Sequence, residues 1–320
     1  LQAGPLELIF WGIPYLLGVS GAVGWSIFSI IATSLIAVAT AVAAHRLLLL
    51  LSPELATPLA TGVTALAALA GCLVTPVVDG HPADAVVPAL WIAAGLFARV
   101  GRPAAAAAVI ASGAGWELWA LLGVPLLLLV PRISAVAVLR ALAGGAAVLG
   151  ILFLPFVLAG PIEMFSFAWP IRDSALVHIL MPDAVEFTWP MRLAEALIAI
   201  GIGIAVAMLI RKRIDAVWLV PLAVTGGRLL LDPLLTGYYF DAGAILVLVG
   251  LGCALAHRDL PMLIVAIGLI NGALTFRGLG WASALILIVM VAAAVVVERR
   301  ADARAPSGAN PGMDVQRSGE

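Results

Sequence analysis

Arg228 and Asp232 stand one helical turn apart in the run RLLLDPLLTGYYFD (228–241), which opens from a stretch that is otherwise apolar. A charge at the centre of a bilayer costs about 2.5–3.5 kcal/mol on insertion scales, so charge kept in such a place calls for a use. Mutual neutralisation across the turn is the plain explanation, although Arg before Asp is the weaker order for that pair. The chemical alternative is that the guanidinium holds a phosphate bidentately, with the aspartate in support. Tyr238 and Tyr239 then either mark a membrane boundary or line the same cavity.

The other residues able to do chemistry are scattered in short polar interruptions. VVDGHPAD (77–84) carries His81 and Asp84, and GAGWELW (113–119) carries Trp116, Glu117 and Trp119. The long interruption 161–190 carries Arg172, Asp173, His178, Asp183 and Glu186, with Arg192 just beyond it, and NGALTFRG (271–278) carries Arg277. Each also has a structural use. Asp79 and Gly80 make a turn, Pro82 suits a first helical turn, and Asp84 favours the positive end of a helix. Glu117 could be a carboxylate wetted at an apex, and the histidines interfacial polar groups. Four histidines without ligand spacing define no metal site. Cys72 and Cys253 lie in apolar runs and read as small core residues.

These residues need a scaffold, and composition says which kind. The chain has 320 residues, of which 63% are hydrophobic and 11% charged, and its mean hydropathy is +1.16. That much apolar surface exceeds what a soluble core of this length hides, so the expected fold class is all-α, a polytopic membrane protein. The net charge is −1, and no basic patch interleaved with aromatics offers a nucleic-acid surface. Spans are expected at 24–47, 55–77, 84–98, 104–114, 116–131, 134–158, 191–210, 215–231, 239–256, 260–275 and 280–297, about 10–12 membrane helices with short or re-entrant ones included. The segment 5–18, interrupted by Pro14, reads as a half-span or an interfacial helix.

Basic residues orient the spans. Arg46, Arg99, Arg102, Arg132, Arg140, Arg211, Lys212, Arg213, Arg258, Arg299, Arg300, Arg304 and Arg317 fall to one side, taken as cytoplasmic. Only Arg172, Arg192, Arg228 and Arg277 fall to the other. The same rule breaks the stretch 103–131 into two short helices meeting at 113–119, because one helix of about 43 Å would put Arg102 and Arg132 on opposite faces. Each arm would be only about 20 Å long. The chain therefore divides into N-terminal membrane helices (1–160), an extracytoplasmic loop with interfacial helices (161–190), C-terminal membrane helices (191–298) and a disordered cytoplasmic tail (299–320).

On this topology the polar interruptions gather outside. The order QAGPLEL (2–8), DGHPAD (79–84), ARVGRP (98–103), GAGWELWALLGVPLLLLVPR (113–132) and RLLLDPLLTGYYF (228–240) resembles bacterial, especially actinobacterial, integral-membrane glycosyltransferases of the GT-C superfamily, with family 87 and its DUF2029-type relatives the nearest likeness. The resemblance implies a plasma-membrane enzyme that takes a sugar from a polyprenyl phosphate and passes it to a glycan or lipid acceptor on the extracytoplasmic side. It also implies a catalytic aspartate in the first external loop. No aspartate precedes Asp79 here, so that base maps onto no residue, and the family's first helix and most of its catalytic loop are expected to lie before Leu1.

The donor-phosphate contacts expected are Arg228, Arg277, Arg172 and Arg192. Asp84, Glu117 and Asp173 are the acid–base candidates, and His81, Trp116, Trp119, Asp232, Tyr238 and Tyr239 the cavity residues. A divalent metal is left open as a cofactor, with no clear site. Two alternatives stand beside this reading. One is a transporter or flippase of a lipid-linked substrate, which also keeps charge within the membrane; the other is a non-catalytic membrane protein.

Overall fold

The computed structural model describes residues 4–32, 35–36, 80–160, 166–211, 216–235, 239–257, 259–275 and 281–304. Among them the chain is almost wholly helical. The helices are α1 (Pro5–Leu16), α2 (Gly21–Ala32), α3 (Ala83–Arg99), α4 (Pro103–Ala114), α5 (Ala135–Ala159), α6 (Leu176–Leu180), α7 (Trp189–Ile210), α8 (Leu219–Leu231), α9 (Tyr239–His257), α10 (Leu260–Thr275) and α11 (Trp281–Arg304). The expected spans from residue 84 onward therefore lie on helical segments. The span at 24–47 is described only in part, over α2 and residues 35–36, and that at 55–77 lies outside the described residues.

Among the described residues two helices are long and apolar enough to cross a membrane, α5 and α7. At 1.5 Å per residue they reach about 37 and 33 Å, against a hydrocarbon core of about 30 Å. α5 starts at Ser134, whose hydroxyl accepts from the Ala137 amide at 3.2 Å, a side-chain cap that takes one of the orphan donors of the first turn. It ends at Gly160. Only a narrow stripe of α5 touches α4, through small residues such as Ala141, Gly144 and Gly145. Leu139, Leu142, Ile151, Leu154 and Leu158 are exposed along the rest. An uncovered apolar helix of this length is what lipid contact requires.

The stretch 103–131 is a broken hairpin, as the arginines demand. α4 starts with Pro103, whose missing N–H costs nothing at a helix start, and runs through alanines to a turn at Gly115 and Trp116. The return arm differs from expectation, because Leu118–Leu129 is a 3-10 helix. Such runs rarely exceed three or four residues. Here the tighter coil lengthens the arm to about 24 Å at 2.0 Å per residue, and it carries Pro125 within it. The two arms return to one place: Gly101 and Pro103 line the same groove as Val130, Pro131 and Arg132.

The core lies where α3, the hairpin, α7, α8, α9 and α11 meet, and Trp91, Leu126, Leu129, Trp218, Leu222 and Phe240 are fully buried in it. It joins residues from both sides of the 161–190 loop. At Gly123 a side chain would collide with the Trp91 indole, which donates from Nε1 to the Ala120 carbonyl at 2.7 Å.

The loop is described from residue 166 and holds the short helix α6, together with a two-residue antiparallel pair that was not expected. β1 (Trp169–Pro170) pairs with β2 (Glu186–Phe187), Trp169 opposite Phe187. The last helix continues through Arg304, so the tail does not begin at residue 299. Its expected disorder lies outside the described residues.

Candidate functional site

Six elements bring polar side chains to one end of the bundle. α1 is fastened there first: the Gly4 amide donates to the Trp116 carbonyl at 2.6 Å, and the Leu6 amide to the Gly115 carbonyl at 2.7 Å. A side chain at Gly4 would run into the Gly115 carbonyl, so the glycine permits the approach. This seats Glu7, 4% exposed, near Glu117.

The hairpin apex supplies the organising residue, Trp119. Its indole N–H donates to Glu117 Oε2, and its ring lies 4.6 Å below the Arg228 guanidinium. Trp91 meets it edge-on at 5.1 Å. Arg228, in the last turn of α8, is 7% exposed. His81 Nδ1 sits 4.0 Å from the other Glu117 oxygen, on a loop whose turn uses Gly80 at φ +84°, a conformation open to glycine.

Asp84, in the first turn of α3, is fully buried. Neither of its oxygens has a hydrogen-bond partner among the described residues. It lies within electrostatic reach of Glu117, Arg228, Asp241 and Glu7. Asp241 in the first turn of α9 is equally enclosed, at 2% exposed.

The second guanidinium, Arg192, is already engaged. It donates to Glu195 Oε2 at 2.6 Å and to Asp232 Oδ2 at 3.2 Å, and lies over the rings of Trp169 at 4.5 Å and Phe187 at 5.0 Å. Asp232 turns its other oxygen to the amides of Leu234 (2.8 Å) and Leu235 (3.1 Å). The aspartate expected to support Arg228 across one helical turn thus spends both oxygens on Arg192 and on the chain end of α8.

Of the expected site residues, the structure brings together His81, Asp84, Glu117, Trp119, Arg192, Arg228 and Asp232. Trp116 is half-buried at the apex, with its ring 5.6 Å from Phe10. Arg172 and Asp173 do not join: both are exposed on the loop, where the Arg172 amide donates to the Pro233 carbonyl. Asp183 and Glu186 are also exposed. Arg277, Tyr238 and the Tyr239 side chain lie outside the described residues. Three members were missed. Glu7 lies in QAGPLEL, Asp241 ends the run RLLLDPLLTGYYFD, and Glu195 follows Arg192 by three residues in an apolar helix.

The charge balance differs from the expected chemistry. Six carboxyls (Glu7, Asp84, Glu117, Glu195, Asp232, Asp241) accompany two guanidiniums, so the cluster is acidic rather than a set of phosphate-holding arginines. Among the described residues no three His, Cys, Asp or Glu side chains converge to hold a metal ion. What the arrangement can do is accept protons and hydrogen bonds from hydroxyl groups, beside one buried cation.

Comparison with protein families, curated proteins and solved structures finds no match to this chain. Among the described residues, fold and site together define an all-α protein with two helices long and apolar enough to cross a membrane and a buried cluster of carboxyls and arginines at one end of its bundle.

Proposed function

We propose that this chain is a multi-pass membrane glycosyltransferase that takes its sugar from a polyprenyl phosphate at the extracytoplasmic face. The observation that carries the reading is the unit of Arg228, Trp119 and Glu117 with Asp84 beside it, where a buried guanidinium faces two proton acceptors. Sugar hydroxyls are donors suited to a carboxylate-rich cluster. The donor phosphate would lie against Arg228, whose stacking on Trp119 fixes its plane.

In the reaction, Asp84 or Glu117 accepts the proton of the acceptor hydroxyl. The acceptor oxygen bonds to the anomeric carbon as the carbon–oxygen bond to the lipid phosphate breaks, its electron pair leaving with the phosphate, and the configuration inverts. Arg192 is a positioning residue: it ties the 166–188 loop to α7 and α8. The many apolar helices shorter than a full span fit a protein that thins the bilayer around such a site.

The test is sugar transfer from a radiolabelled polyprenyl-phosphate sugar in membranes of cells expressing the gene from its own start codon. Arg228→Gln and Arg228→Lys should each lower turnover about 10²-fold or more, the scale for losing one preorganised donor, while Asp183→Asn leaves it unchanged. Normal turnover in Arg228→Gln rejects the assignment.

A second reading has one observation in its favour. A buried carboxyl without a hydrogen-bond partner, such as Asp84, is what a proton-coupled transporter uses. Substrate flux into vesicles that follows the proton gradient and is abolished by Asp84→Asn, without any sugar transfer, would establish it instead.

A further inference from the structure

The opposite end of the bundle carries arginines in two different situations. Arg99 donates to the carbonyls of Arg211 and Ile210, and Arg211 to those of Val130 and Pro131. These two complete the ends of α7 and of the 3-10 arm, where carbonyls lack helical partners. Arg132 and Arg140 do nothing of the kind. Neither has a hydrogen-bond or ion-pair partner among the described residues. Both are exposed and line one open surface groove of about 460 Å³, together with Pro103, Ser134, Val136 and Ala137.

Among the described residues no acidic side chain lines that groove. Two helices begin at it, α4 at Pro103 and α5 at Ala135, and their positive ends add to the two guanidiniums. Ser134 takes the Ala137 amide, which leaves earlier amides of α5 available to an acceptor. Val136 lines the groove and is 54% exposed, and beyond it Leu139 and Leu142 continue the bare apolar face of α5. An anionic head with an apolar tail matches this sequence of surfaces.

We propose that the groove formed by the two arms of the hairpin and the start of α5 binds the phosphate headgroup of an anionic phospholipid, with the acyl chains lying along α5. The site is distinct from the acidic cluster and rests only on the membrane reading of α5. Phosphate in solution would meet the same donors, but the apolar face of α5 would then have no part in binding. A basic pocket between membrane helices is an established kind of site for such headgroups.

Membrane residence is scored first, by resistance of the protein to carbonate extraction, so that failure of that reading is seen separately. The purified protein is then placed in nanodiscs with equal amounts of phosphatidylglycerol and phosphatidylcholine, and retained lipids are counted by native mass spectrometry. Wild type should retain phosphatidylglycerol at least fivefold over phosphatidylcholine, and Arg132→Gln/Arg140→Gln should fall to parity. Arg172→Gln, altered at the other end, should keep the preference. A variant-free measurement stands beside this: added phosphatidylglycerol should raise the wild-type Tm where phosphatidylcholine does not. Equal retention of the two lipids by wild type, an undiminished preference in the double variant, or displacement of the lipid by millimolar inorganic phosphate overturns the proposal.

Discussion

Trp119 serves two charged neighbours at once, and its two contributions can be separated. Trp119→Phe keeps a ring under Arg228 but removes the N–H given to Glu117, whereas Trp119→Leu removes both. A hydrogen bond to a charged group is worth about 1.5–3 kcal/mol, and a desolvated cation–π contact up to about 2 kcal/mol. The Tm measured in detergent should therefore fall in the order wild type, Trp119→Phe, Trp119→Leu. Equal loss in the two variants would mean that the ring does not support Arg228. At this scale the sequence was informative where short polar interruptions break apolar runs: His81 and Asp84 in VVDGHPAD, Glu117 in GAGWELW and Arg228 in RLLLDPLLTGYYFD meet in space. It misled on Arg192 and Asp232. Their ion pair joins residues far apart in the chain, and no spacing rule relates them; Arg192 therefore read as a free phosphate ligand. The same pair makes a prediction. Asp232→Ala leaves Arg192 with one carboxylate and the Leu234 and Leu235 amides without an acceptor, so about 3–5 kcal/mol of stability should be lost, the scale for breaking a buried pair. Denaturant titration would measure it, and a loss below about 1 kcal/mol would contradict the buried role.

Among the elements, the broken hairpin was legible because charge parity, not hydropathy, decides it. Arg102 and Arg132 had to share a side, and their flanking residues do line one groove. The coil of its second arm was not legible. LWALLGVPLLLL has no periodicity that separates a 3-10 helix from an α-helix, and its form is fixed by neighbours such as Trp91 against Gly123. Gly123→Ala should thus cost about 1–3 kcal/mol by overpacking against the indole, read as a lower Tm. The adjacent Val124 is 45% exposed, so Val124→Ala should leave the Tm nearly unchanged and serves as the comparison. The fastening of α1 was also hidden. QAGPLEL reads as a motif in the sequence, while in the structure the Gly4 and Leu6 amides pair with the apex carbonyls. Gly4→Ala should push α1 off the apex and expose Glu7, increasing labelling of an engineered cysteine at position 7 relative to the same cysteine behind wild-type Gly4.

For the whole molecule, the distribution of charge is the argument that reaches furthest. Arg99, Arg132, Arg140 and Arg211 collect at one end, and the six carboxyls with Arg192 and Arg228 at the other. The sequence anticipated this separation through the bias of its basic residues, because a bilayer penalises charge in its core and leaves only the two ends for it. It could not show the acid excess of the cluster, which depends on α1, α7 and α9 delivering Glu7, Glu195 and Asp241 to the same end. If the two ends face opposite sides of a membrane, single cysteines at Arg132 and at Asp183, both exposed in the structure, should differ in access. An impermeant maleimide added to intact cells should label Asp183→Cys and spare Arg132→Cys, and inverted vesicles should reverse the pattern. Labelling of both from one side would place the two ends in the same compartment. The acidic cluster would then lose its proposed extracytoplasmic position, and with it the reason to expect a lipid-phosphate sugar donor in place of a soluble one.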